Sequence, residues 1–232
     1  MTEDQLRQQA LDACHGLAAY GLGSGIGGHV SVRVPGRELY WTNALDRTFE
    51  EMRIEDIVLM DFDGRPVRSD RPISPGIGFH QGIYKLRPDV GAIVHTHGFW
   101  ITAQSAYGRP LRNLHNLATY FHGRTAVAPD DEIDSIAPAM KAGDNAIVIP
   151  WHGAITLGAD MPDAAALHVT FDYACRLDVT MPEGVPLMPE DHARTIQGLL
   201  AKANYLRLTW DLMRRKAERG FNGSVVVPQI AA

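Results

Sequence analysis

Cysteine is nearly missing from this 232-residue chain, which contains two. Cys14 and Cys175 lie far apart, each inside a helical pattern, so neither a disulfide framework nor a thiolate metal cluster is expected. Both read as small buried hydrophobes. Long apolar runs are missing too, and no stretch approaches membrane-spanning length. The opening segment MTEDQLRQQALDACHGL is acidic and helical in pattern and lacks the basic region and apolar core of a secretory signal. The expected compartment is therefore the cytoplasm, with no membrane partner. Nor does one sign of charge dominate. The chain has 22 lysines and arginines against 27 acidic residues, for a net charge of -5. The basic residues are scattered singly, which leaves no electrostatic footprint for nucleic acid. A small polar or anionic molecule is the expected partner. Internal repeats and low-complexity tracts are absent, and the length suits one α/β domain over residues 1–232.

Against these absences stands a concentration of histidine. His95-Thr96-His97 closes the apolar run VGAIV at 90–94, and histidines two apart on a strand project from the same face. A second β-like run, NAIVI at 145–149, leads into Pro150-Trp151-His152-Gly153, so a third histidine stands at a strand end beside a turn. A lone histidine in such a place is more often a satisfied, half-buried residue than a ligand. A same-face pair with a third imidazole at another strand end shifts that balance, because three nitrogen ligands and an open position describe a catalytic zinc-type site. His95, His97 and His152 are the expected metal ligands.

The rest of the chain alternates helical and β patterns. Residues 3–20 predict an amphipathic helix closed by Gly21 and Gly23. GLGSGIGG passes into HVSVRV, where Val30, Val32 and Val34 alternate with Ser31 and Arg33 as in a half-buried strand, and ELYWT follows a Pro35-Gly36 turn as a hairpin partner. DIVLMDF and RTAVAP predict further strands, and GAITLGAD a strand and turn; FHQGIYKLRP, Trp100–Ala106, 131–142 and Met161–Leu177 predict helices. Residues 189–219 read as one final helix with a stripe of Ile196, Leu199, Leu200 and Leu206, followed by an apolar tail, SVVVPQIAA, that either packs or is disordered. The glycine-rich loop lacks the Lys-Ser/Thr of a phosphate loop and precedes a strand instead of a helix, which argues against nucleotide binding. A turn at Gly28 that approaches a substrate anion fits better.

GIGGHVSVR, FHQGIYKLRPDVGAIVHTHGFW and PWHGAITLG, in that order and spacing, resemble the class II aldolase/adducin family over most of residues 5–180. The resemblance implies an α/β fold of three layers, α/β/α, with a central, mainly antiparallel sheet. It also implies a homotetramer with sites at subunit interfaces, and one divalent transition metal per chain on His95, His97 and His152. Zinc comes first among the metals, with iron, manganese, cobalt or nickel open on ligand type. This sequence departs from the sugar-phosphate aldolases of that family. Their Ser-Ser-Glu run corresponds to Ser74-Pro75-Gly76, so Gly76 stands in the place of their acid/base glutamate; His29 replaces a phosphate-binding asparagine, and their interface tyrosine maps near Asn116.

Retained ligands without the glutamate point to related chemistry that needs no such base. The reading is a metal-dependent carbon–carbon lyase acting on a small hydroxy- or oxo-acid, as a decarboxylase or non-phosphate aldolase. A mononuclear iron oxygenase on the same scaffold, a sugar dehydratase and a non-catalytic adducin-like interaction module are the alternatives. Proton donors are sought among His29, His80, His115, Tyr120 and His122; ordinary packing is an equally good account of His115 and His122. Ser74 and Trp100 are expected near the substrate, with Phe99 and Trp151 as apolar walls. Arg47 or Arg124 is expected to pair with a substrate carboxylate, although most arginines are plain surface residues.

Overall fold

The structure, a computed structural model, describes residues 1–67 and 69–219, so the apolar tail lies outside the described residues. In chain order the strands are β1 (His29–Arg33), β2 (Leu39–Asn43), β3 (Ile57–Asp61), β4 (Ala92–Thr96), β5 (Thr125–Val127), β6 (Ala146–Ile149) and β7 (Gly153–Gly158). The helices are α1 (Glu3–Ala19), α2 (Gly78–Leu86), α3 (Phe99–Ser105), α4 (Ile133–Ala139), α5 (Met161–Thr180), α6 (Glu190–Lys202) and α7 (Tyr205–Glu218). The strands form one seven-stranded sheet in the order β3-β2-β1-β4-β7-β6-β5. Every pairing is antiparallel except β5 with β6. This is the mainly antiparallel α/β arrangement that the resemblance implies.

Period-two alternation sorts the side chains of the sheet into two cores. Ala92 and Val94 of β4, with Ala146 and Val148 of β6, join residues of α1, α5 and α7 on one face. Ile93, Ile147, Ile149, Ile155 and Leu157 join Phe79, Ile83 and Tyr84 of α2 and Ile136 of α4 on the other. Ile93 is fully buried, and burying such a side chain contributes about 1.5–3 kcal/mol. Because both faces are covered, β1 is not the half-exposed strand its alternation suggests: Ser31 is as buried as Val30 and Val32. Its hydroxyl lies 2.6 Å from His80 Nδ1 and 2.7 Å from the Tyr84 hydroxyl, so a polar residue reaches the core without an unmet hydrogen bond.

The remaining elements follow local rules. Thr2 and Gln5 form a capping box at the start of α1, an arrangement that contributes about 1 kcal/mol. The long final helix of the sequence reading is two helices, because Asn204 adopts a left-handed conformation (φ 53°) that ends α6 and opens α7. In α6, Leu199 is exposed while Leu200 packs on the core, so the apolar stripe is narrower than its periodicity suggests. The helix expected over 131–142 is shortened to Ile133–Ala139 and carries Pro138 in its last turn. Both cysteines are buried and free. No described helix is long and apolar enough to cross a membrane.

Candidate metal centre

Strand pairing brings several chain segments to one edge of the sheet. β1 begins there with His29 directly opposite His95 at the end of β4. Thr96 pairs with Ala154, so β7 begins beside the end of β4 and brings His152 with it. β6 and β5 run parallel, so both end at this edge as well. The Nε2 atoms of His95 and His97 lie 3.0 Å apart, and those of His97 and His152 lie 2.9 Å apart. One ligand atom from each of the three residues falls within 4.8 Å of the others.

Hydrogen bonding decides which nitrogen His95 and His97 present. His95 Nδ1 is 3.0 Å from the Ala154 carbonyl; a carbonyl only accepts, so the neutral ring carries its proton on Nδ1 and leaves Nε2 bare. Ser24 donates to the Gly27 carbonyl at 3.3 Å, which leaves its oxygen to accept from His97 Nδ1 at 3.4 Å. His152 turns Nδ1 toward Asp131, 4.0 Å away. Burial first, and then the neighbouring imidazoles, hold His95 well below the usual histidine range and lower His97. Imidazole nitrogens that converge in this way are satisfied together by a cation between them. The donor set therefore fits a divalent transition metal.

The glycine loop forms the wall behind these ligands. A side chain on Gly27 would begin 2.8 Å from His97 Nδ1, and one on Gly28 (φ +97°) would begin 3.0 Å from the His95 carbonyl oxygen. Only glycine combines such close approach with positive φ at low cost. In this structure Gly28 therefore lies against the backbone of the histidine strand.

His29 and His80 sit beside the triad. The ring of His29 is 5.0 Å from that of His95, centroid to centroid. Its Nδ1 is 2.7 Å from His80 Nε2, and the chain continues through Ser31 to Tyr84. Burial holds both imidazoles far below the ordinary histidine range, with neighbouring histidines adding to the effect. Ser74 caps a short turn at Pro75–Ile77, its hydroxyl accepting from the Gly76 amide at 3.3 Å. Phe99 and Trp151 are 71% and 80% exposed beside the ligands, while the half-buried Trp100 packs edge-on against Phe99.

Two other sequence candidates border a different cavity. Tyr120 and Arg124 line a separate cavity of about 570 Å³ with Arg87, Asp144 and Tyr205, and none of the three histidines borders it. Burial raises the Tyr120 hydroxyl to about 12. His115 packs edge-on against Tyr173 at 5.5 Å, and its Nδ1 accepts from the Leu117 amide at 3.2 Å. His122 is half-buried just after the turn at Asn116–Phe121. Arg47 is half-buried, with a buried Nε that has no partner. Two residues at the centre, Ser24 and Asp131, carry no strong mark in the sequence. Ser24 belongs to the glycine loop already noted, whereas Asp131 follows β5 with no motif to mark it.

Residues 8–179 match the family described as Class II Aldolase and Adducin N-terminal domain. The chain belongs to that family. It is 31% identical over 192 residues to a 5-methylthioribulose-1-phosphate/5-deoxyribulose-1-phosphate aldolase of Rhodospirillum rubrum, covering 78% of this chain and 86% of the relative. It is 27% identical over 190 residues to an L-ribulose-5-phosphate 4-epimerase of Salmonella paratyphi B, covering 75% of this chain and 83% of that protein. Among solved structures, an L-fuculose 1-phosphate aldolase from Glaciozyma antarctica PI12 superposes with a TM-score of 0.84 at 25% identity, covering 93% of this chain and 89% of the other. The family thus hosts more than one reaction on one scaffold.

Proposed function

We propose that this protein is a metal-dependent carbon–carbon lyase that acts on a small hydroxy- or oxo-acid, by decarboxylation or by aldol cleavage of a non-phosphorylated substrate. The observation that carries the reading is the convergence of the Nε2 atoms of His95, His97 and His152 where β4 ends and β7 begins. A divalent cation held there, zinc foremost, supplies Lewis-acid stabilisation of negative charge on a substrate oxygen. The relatives named as sugar-phosphate aldolases and an epimerase support chemistry at a carbon next to a carbonyl. Gly76 in the place of a glutamate argues against the sugar-phosphate version of it.

The chain's own residues supply the rest. Ala154 and Ser24 fix the tautomers of His95 and His97. Among the proton-donor candidates His29 is favoured, because it alone pairs directly across the strand from a ligand. His80, Ser31 and Tyr84 form one continuous chain behind it, so a neutral His29 would relay a proton, taking one from His80 at Nδ1 as it releases one from Nε2. Tyr120 and Arg124 border a different cavity and His115 packs on Tyr173, so these residues and His122 are given no role at this centre. Phe99 and Trp151, exposed beside the candidate ligands, offer apolar surface for a substrate to pack on.

The test is a screen of hydroxy- and oxo-acids for released carbon dioxide or aldehyde, run with and without oxygen, on zinc-loaded and chelated protein. Metal-dependent release without oxygen, abolished by His95→Ala, is expected. Turnover that persists in metal-free protein contradicts the proposal, and strict oxygen dependence moves the assignment to an iron oxygenase.

A further inference from the structure

Imidazole ligands carry no negative charge, so a divalent cation held by three of them has no compensating charge from its own ligands. One carboxylate stands at the right place to provide it. Asp131, in the loop after β5, puts Oδ1 4.0 Å from His152 Nδ1, within ion-pair reach though beyond a direct hydrogen bond. Among the described residues His152 is the one basic side chain within 4.0 Å of the carboxylate, and no lysine or arginine pairs with it. The Asp131 side chain is 27% exposed and that of His152 34%, so the pair is only partly screened by water.

The opposite wall of this corner is Gly76. A Cβ on Gly76 would begin 3.2 Å from Asp131 Oδ2, 3.6 Å from His29 Nε2 and 3.7 Å from Ser74 Oγ. Any longer side chain at position 76 starts inside the volume that Asp131 and His29 share. One carboxylate fits this corner, and here it comes from the far side.

We propose that Asp131 is the carboxylate of this centre, a positioning residue that steadies His152 from its Nδ1 side and occupies the corner that Gly76 leaves open. The proposal rests on the metal-centre reading above. Carboxylates behind ligating histidines fix ring orientation and raise ligand basicity, and their loss typically weakens metal binding by about 10–100-fold. The parallel pairing of β5 and β6 explains the placement, since it sets the loop after β5 next to the turn that carries His152.

The experiment measures zinc affinity of the full chain by competition with a chromophoric chelator, for wild type, Asp131→Asn, Asp131→Ala, Gly76→Glu and the double variant Gly76→Glu/Asp131→Ala. Both single Asp131 variants are expected to bind zinc about 10–100-fold more weakly, with the melting curve of the chelated protein unchanged. In the double variant a glutamate from position 76 is expected to recover about tenfold or more of the loss, whereas Gly76→Glu alone crowds the corner and gains nothing. Asp131→Asn preserves size and shape, so it decides the matter if Asp131→Ala folds poorly. Zinc affinity equal to wild type in Asp131→Asn overturns the proposal while leaving the metal centre standing. No recovery in the double variant overturns the claim that the corner takes one carboxylate from either side. No zinc binding by wild type overturns the metal-centre reading itself, and this proposal with it.

Discussion

The two faces at the end of β4 carry histidines with opposite fates. On one face Thr96 is closed off: its Oγ1 lies 2.8 Å from His168 Nε2, and His168 Nδ1 lies 3.0 Å from Thr156 Oγ1. Thr156 donates onward to the Ala164 carbonyl at 3.0 Å, so His168 donates through Nδ1 and accepts through Nε2, with no capacity left over. On the other face His95 spends its one proton on Ala154 and points a bare nitrogen at two more imidazoles. Both rings are buried. What separates a structural histidine from a candidate ligand here is therefore unspent hydrogen-bonding capacity. Burial and proximity to a strand end do not distinguish them.

The comparison is broken most severely at His168. His168→Ala removes a buried ring and strands Thr96 and Thr156, at an expected cost of about 3–5 kcal/mol in denaturant unfolding. Burial lowers the folded pKa of His168 to about 3, below its unfolded value of about 6.5. As pH falls below about 6.5 the unfolded chain takes up a proton that the folded chain refuses, so stability is lost progressively toward pH 3. His168→Gln should flatten that acid limb in unfolding measured against pH; an unchanged slope would contradict the assignment.

Chelation addresses the other face. Removing metal from wild type should lower the unfolding free energy by about 2.7 kcal/mol when free metal had stood near 100 times its Kd. The same treatment should leave His95→Ala unmoved and shift His168→Gln as much as wild type. Thermal melts with and without chelator check this, and equal shifts in His95→Ala and wild type would sink the distinction.

Smaller effects sharpen the geometry. Gly27→Ala places a methyl 2.8 Å from His97 Nδ1, so metal affinity should fall about tenfold, roughly 1.4 kcal/mol, with little change in the stability of the chelated protein. A titration that finds wild-type affinity would show that the loop yields. Trp151 adopts φ 59° although it is not glycine, and such backbone costs about 1 kcal/mol. Trp151→Gly should therefore raise stability by up to about that amount while removing an exposed apolar wall, seen as a higher Tm with weaker substrate binding.

Much of the centre is legible in the sequence because its parts obey short-range rules. His95 and His97 lie two apart after a buried run, and His152 ends another such run. Other features depend on pairings the sequence does not announce. Ser31 reads as solvent-facing because alternation cannot say that a second layer of helices covers the far side of the sheet. Asp131 sits 21 residues before His152 in the sequence and reaches it only because β5 and β6 happen to run parallel. The break at Asn204 is not legible because helical periodicity continues through it, and a single left-handed residue leaves no trace in that pattern.

The central claim is that unspent imidazole nitrogens mark a metal centre. Elemental analysis of gently purified wild type, His95→Ala and His168→Gln, side by side, tests it most directly. About one transition metal per chain in wild type and His168→Gln, with none in His95→Ala, is the predicted result. Metal-free wild type, or equal metal content in wild type and His95→Ala, would contradict it.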